Sequence, residues 1–319
     1  MRRYSSFLMV LVLTGMSLHT GAQTVRDAMD AYNEAYKLYS TDKEATIAKF
    51  EKALEICNAL GAAGDTTRLK IEGFLPGLYY EVANNAYKEK NYPEAVVKLK
   101  KAAEVAARYK SDDYLQSSTK LLGNTYYLMG NNAVNANALD SAIFYYKTSI
   151  QTDPRAYKWF SLGQVYFKKK NEASMGAAMD KAIGLGKNEN DSATVAKAST
   201  LCRQYFYAKA YGVQKNNPAK AIEYLDKTVA YDPTYANAYY MKSLLAYNLK
   251  RYQESADAAK LAIANEKDKE QIAKIYFKLG WTYVYLKDGP NACAAFRKAS
   301  ESKTYVNEAR KNMINLKCN

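Results

Sequence analysis

The chain contains one histidine, His19, in 319 residues. It lies in an N-terminal segment expected to be removed, so the mature protein is expected to carry no imidazole. That excludes Ser-His-Asp and Cys-His catalysis and every His-ligated metal site. Carboxylates remain, but pairs such as Asp112-Asp113 read as a loop or helix cap. No glycine-rich stretch fits a phosphate loop or dinucleotide fingerprint, and Gly184-Leu185-Gly186 is a lone Gly-x-Gly in a turn. Neither enzyme activity, cofactor nor metal is expected. The cysteines, Cys57, Cys202, Cys293 and Cys318, are too far apart for a zinc ribbon or a redox CxxC pair. In an oxidising compartment Cys293 with Cys318 would staple the last helices together, and four buried free thiols are the alternative.

Arg2 and Arg3 open the chain, an apolar run covers Phe7 to Leu13, and Thr20-Gly21-Ala22 follows, with no acid before Asp27. This three-part pattern is that of a secretory signal peptide over residues 1–22, cut after Ala22. The apolar run is shorter than the roughly 20 residues a spanning helix needs, and no cysteine follows it before Cys57. The expectation is therefore export to the periplasm by the general route, without a lipid anchor and without stable membrane insertion. Removing residues 1–22 lowers Lys+Arg from 46 to 44 against 32 acids, leaving +12. A basic exported protein attracts acidic protein segments or anionic envelope polymers, and nucleic acid is not an expected partner there. The oligomeric state is not read from the sequence.

The elements that position these side chains are helices. Hydrophobic residues make up 48%, proline is scarce at 6, and tyrosine reaches 30; mean hydropathy is −0.44. From Gly280 the residues Tyr283, Ala292, Phe296 and Ala299 fall at +3, +12, +16 and +19, and the same offsets recur from Ser243, Gly163 and Ala83. Looser copies start at Ala35, at Gly123 and at Ala208. From Gly123 to Ala142 the interval is 19, so about seven extra residues around Asn131 to Asn137 are expected to lengthen that hairpin. Pro93, Pro218 and Pro290 fall near the start of a second helix, where a missing N–H costs nothing. Pro76-Gly77 is expected to kink or break the helix that contains it.

This pattern of Leu-Gly and Tyr on one helix, then Ala, Phe and Ala on the next, resembles the tetratricopeptide repeat. The Tyr-, Lys- and Asn-rich body also resembles exported proteins of Bacteroidetes. The repeat resemblance implies an all-α, right-handed α-solenoid of about seven helix pairs, near residues 25–60, 66–110, 112–154, 156–189, 191–233, 234–267 and 270–301. An amphipathic capping helix is expected at 303–317. Each pair cannot bury its apolar face alone, so the pairs must stack.

The resemblance also implies a concave groove lined by first helices, with the positions three before, one after and four after each small anchor pointing into it. Those positions give Tyr80, Asn84, Tyr87, Lys120, Asn124, Tyr127, Phe160, Gln164 and Phe167, then Tyr205, Lys209, Tyr240, Tyr247, Phe277 and Trp281. Rings and amides of this kind suit an extended polypeptide. The Lys/Asn clamp for C-terminal carboxylates known in the family is incomplete: Lys120 and Asn124 match, but Ser161, Cys202 and Phe206 stand where Asn and two cations are needed. The basic runs Lys98, Lys100, Lys101 and Lys168 to Lys170 read as solvated faces. The expected function is a non-enzymatic protein-interaction scaffold of the bacterial envelope, with a glycan- or anionic-polymer-binding module as the alternative.

Overall fold

The computed structural model describes residues 24–318, so the expected signal segment lies outside the described residues. Fifteen α-helices and one 3₁₀ turn account for the regular structure there, and no strand occurs among the described residues. The described residues divide into two compact units, 24–129 and 130–318. The first unit holds α1 (Val25–Leu38), α2 (Lys43–Ala59), α3 (Asp65–Lys88), α4 (Tyr92–Arg108) and most of α5 (Asp112–Asn135). The second holds the end of α5, then α6 (Leu139–Thr152), α7 (Ala156–Lys168), α8 (Glu172–Asn188), α9 (Ser192–Val213) and α10 (Pro218–Tyr231). It continues through α11 (Ala236–Asn248), α12 (Tyr252–Asn265), α13 (Lys269–Tyr285), α14 (Gly289–Ala299) and α15 (Val306–Asn315).

In each unit consecutive helices pack on one another, the arrangement of stacked helix pairs in an α-solenoid. Small residues set the distance between paired helices. A Cβ added at Gly280 would lie 2.7 Å from the ring of Phe296, sixteen residues on. Gly163 stands in the same relation to Met179 at 2.7 Å. The third pair corrects the register expected from the sequence. A Cβ at Gly130 would come 2.5 Å from Tyr146, again sixteen residues on. From Gly130 the buried residues Ala133, Ala142, Tyr146 and Ser149 restore all four offsets. No residues lengthen this hairpin; the extra residues lie earlier in α5, and the Leu122-Gly123 step belongs to an earlier turn of the same helix.

The fifth pair needs a second correction. Ala208 is exposed and Tyr211 is 65% exposed, whereas Ala210 is fully buried against α10. From Ala210 the buried partners Ala221, Leu225 and Thr228 fall at +11, +15 and +18. The same shortened offsets run from Ala35 to Thr46, Phe50 and Ala53.

The turns explain the one-residue difference. Five hairpins carry a left-handed residue: Lys90, Asn137, Lys170, Lys250 and Lys287, with φ between 56° and 61°. In each the following residue donates its N–H to a carbonyl five positions back, as in Asn91 to Ala86 (3.0 Å) and Asp288 to Tyr283 (2.9 Å). This is the Schellman closure. The turns after α1 and α9 have no left-handed residue; Asp42 and Asn217 instead donate four positions back, to Leu38 and Val213, both at 2.8 Å. Their hairpins close one residue sooner.

Pro76 does not break α3, which continues from Asp65 to Lys88. Its ring is buried, and the bare Cα of Gly77 admits the ring of Tyr114. At the start of α7, Lys158 is fully buried and donates to the Asp153 carboxylate (2.8 Å) and carbonyl (3.0 Å). Burial pushes its ammonium below the usual lysine range, against the pull of Asp153.

Candidate functional site

Within the second unit α7 and α9, the first helices of successive pairs, touch directly. Between them lies an open groove of about 670 Å³ lined by Phe167, Lys168 and Lys170 on one side and by Leu201, Gln204, Tyr205, Ala208 and Lys209 on the other. The end of α7 presents Phe167 outward because its buried stripe runs through Leu162, Gly163 and Val165. Phe167 is 44% exposed. Its ring meets the edge of Tyr205 at 5.8 Å.

Tyr205 is half-buried, and its hydroxyl donates to the Glu172 carboxylate at 3.3 Å. Glu172 is held in turn by Lys227 at 3.0 Å. Burial raises the Tyr205 hydroxyl above its ordinary range, while Lys209 pulls it down. The Lys209 ammonium lies 5.4 Å over the Tyr205 ring, a cation–π contact.

Charge in the groove is one-sided. Lys169 turns away to the Asp140 carboxylate. Lys168, Lys170 and Lys209 are exposed, and among the described residues none of the three forms an ion pair within 4 Å. The arrangement offers an apolar ring flanked by three uncompensated cations. Chemically it can hold a segment carrying acidic groups beside an apolar side chain.

The other residues expected in a groove fall into separate places. In the first unit Tyr80 packs on Tyr114 (5.9 Å) and Tyr87 on Tyr92 (6.1 Å). Asn84 and Tyr127 are half-buried, as is Asn124, and Lys120 is exposed. Because the third anchor is Gly130, Lys120 and Asn124 do not occupy the anchor-relative positions that selected them, and Asn131 takes the place next to the anchor. Its side-chain oxygen accepts from the Tyr146 hydroxyl at 2.6 Å.

In the second unit Phe160 packs on the core around Met175, Met179 and Phe206, and Gln164 is exposed. Tyr247 joins Tyr252 (5.7 Å) and Tyr285 (5.6 Å) in a three-ring cluster at the ends of α11 and α13. Burial and the neighbouring Tyr285 push the Tyr247 hydroxyl up to about 12.

Phe277 is a correction. It is only 8% exposed, seated on Phe296 (5.7 Å) and covered by Tyr305 (5.3 Å), so it belongs to the core of the last pair. Tyr240 and Trp281 are half-buried against that same core. Cys293 and Cys318 are joined by a disulfide with Cα atoms 5.6 Å apart, and Cys57 and Cys202 are buried free thiols. Burial pushes the Cys202 thiol up to about 12. Sequence reasoning missed Lys170, Leu201 and Gln204 as groove residues and took Lys168 to Lys170 as one solvated run. The signal lies in the middle lysine, which pairs with Asp140 and leaves its two neighbours free for the groove.

No helix among the described residues is long and apolar enough to cross a membrane. Comparison with curated proteins finds no match. Family models for the tetratricopeptide repeat match residues 213–270 and 273–304. Among solved structures the chain is similar to YrrB, described as a TPR protein with an unusual peptide-binding site, at 19% identity over 59% of this chain and 91% of that one, with a TM-score of 0.31. It is similar to the TPR2AB domain of yeast Sti1 in a complex with pHSP90 at 17% identity over 91% and 96%, with a TM-score of 0.32. It is also similar to the MamA protein at 20% identity over 56% and 90%, with a TM-score of 0.30. The assignment rests on the matched segments and not on these loose superpositions: residues 213–270 and 273–304 are tetratricopeptide repeats.

Proposed function

We propose that this protein is a non-enzymatic interaction scaffold of the bacterial envelope that holds a polypeptide segment in the groove between α7 and α9. Stacked helical repeats present extended surfaces for binding. The observation that carries the reading is Phe167, exposed beside Lys168, Lys170 and Lys209, three cations without a partner carboxylate. A partner segment with acidic residues around an aromatic or aliphatic anchor satisfies both features. Export over residues 1–22 is part of the proposal, and a disulfide between Cys293 and Cys318 is in keeping with an oxidising compartment. Mass spectrometry of the protein made in a bacterial host tests the export reading, with Gln23 expected as the first residue.

The binding test is fluorescence anisotropy with a labelled peptide of alternating aspartate and phenylalanine. Phe167→Ala and Lys209→Glu are each expected to weaken binding by roughly tenfold or more, as hot-spot truncations do, without changing the melting temperature. Unchanged affinity in both variants would remove the groove as the site. Binding of a polyanion such as polyglutamate that falls with Lys209→Glu and ignores Phe167→Ala would favour the anionic-polymer reading instead.

A further inference from the structure

The C-terminal end of the second unit carries a different surface. Helix α15 is only ten residues long and buries a single side chain fully, Ala309. A helix this short is below the roughly 12–15 residues needed to be even marginally stable alone, so its order comes from docking. Its apolar face is formed by Tyr305, Ala309, Met313 and Leu316, all packed on the core of the last helix pair. Tyr305 lies flat on Phe277 at 5.3 Å. Two tethers hold it. Ser302 donates to Glu270 at 2.6 Å just before the helix, and the Cys293–Cys318 disulfide ties its far end to α14. Both cysteines are half-buried and neither lies in the closed core.

We infer that α15 fills a helix-accepting surface on α13 and α14, and that the Cys293–Cys318 disulfide is the latch that keeps it filled. The site beneath is built from Phe277 with half-buried Tyr240 and Trp281 beside it. The partner it accepts once open is an amphipathic helix with the chemistry of α15: an aromatic residue followed by apolar side chains four, eight and eleven positions later.

Opening requires a dithiol reductant. Its thiolate attacks one sulfur, the Cys293–Cys318 bond breaks, and a mixed disulfide forms. The displaced cysteine thiolate takes up a proton. The second thiolate of the reductant then attacks the mixed disulfide, frees the other cysteine as a thiol and leaves as the oxidised disulfide. Two electrons and two protons end on the cysteines. Closing a loop of 25 residues' separation by a covalent bond favours the docked state by on the order of 100-fold, and without it the helix keeps only Ala309, the half-buried Tyr305, Met313 and Leu316, and the Ser302–Glu270 hydrogen bond.

The test uses the full mature chain in three forms: oxidised, reduced by dithiothreitol, and the double variant Cys293→Ser with Cys318→Ser. Hydrogen exchange over 303–318 is expected to rise by at least tenfold in the reduced and double-variant forms, while α7 to α12 keep their protection. A labelled synthetic peptide of residues 303–317 is expected to bind those two forms and not the oxidised one, and Phe277→Ala in the double variant is expected to abolish that binding. Unchanged exchange of α15 after reduction would overturn the latch. Peptide binding equal in oxidised and reduced protein, or absent from both with α15 released, would overturn the surface.

Discussion

A single bare Cα tells the two readings of the third repeat apart. If Gly130 is the close-approach site, Gly130→Ala forces a methyl to within 2.5 Å of the buried Tyr146 ring and should cost about 1–3 kcal/mol, more than the helix propensity it gains. Gly184, inside α8, has nothing within 4 Å of its added Cβ, so Gly184→Ala should instead stabilise by about 1 kcal/mol. Chemical denaturation of the two variants checks both signs. At this scale the candidate site was partly legible. Phe167 follows from counting along the repeat from Gly163, and it meets Tyr205 and Lys209 in one groove. Tyr205 and Lys209 were reached from the wrong anchor, Ala208, because a small exposed residue and a small buried one look alike without the partner helix. Phe277 was assigned outward because the pattern of one repeat cannot show that a later segment, through Tyr305, will cover it.

Helices and their order were legible almost throughout, because small and bulky landmarks recur with fixed spacing on both members of each pair. Turn length was not, because it depends on whether one residue adopts a left-handed conformation. Lysine does so in six of the eight non-glycine cases, at 90, 110, 170, 250, 287 and 317. Sequence rules look for glycine there. Lysine carries a steric penalty in that conformation, offset in part by its charge at a helix C-terminus. Lys250→Gly is therefore expected to raise stability by about 1 kcal/mol, whereas Lys215→Gly, in a turn without a left-handed residue, is expected to give no gain; thermal melts of the pair decide it. The junction of α6 and α7 rests on the buried Lys158–Asp153 pair. Lys158→Ala should cost on the order of 3 kcal/mol, because it removes the buried partner of a mostly buried carboxylate and leaves it only the more exposed Arg155.

The whole molecule is dominated by half-buried tyrosines, and that has a consequence at high pH. Burial raises the hydroxyls of Tyr32, Tyr87, Tyr205, Tyr207, Tyr240 and Tyr247 above the ordinary value of 10.0. A group whose folded pKa is raised contributes stability that is complete below its unfolded pKa and is lost as pH rises through the folded value. The melting temperature should therefore hold up to about pH 10 and then fall steeply toward pH 12, in step with tyrosinate absorbance. Melts that stay flat across that window would mean the rings are solvated. On the proposed function, one groove, between α7 and α9, holds a polypeptide segment. The most direct measurement places a photo-crosslinking amino acid at Gln204, within the groove, and another at Phe144 on α6, 62% exposed and outside it. Discrete protein adducts are expected from position 204 in cells, few from 144, and their loss in a folded Phe167→Ala, Lys209→Glu protein. Adducts that are the same from both positions, or that survive the double substitution, would contradict it.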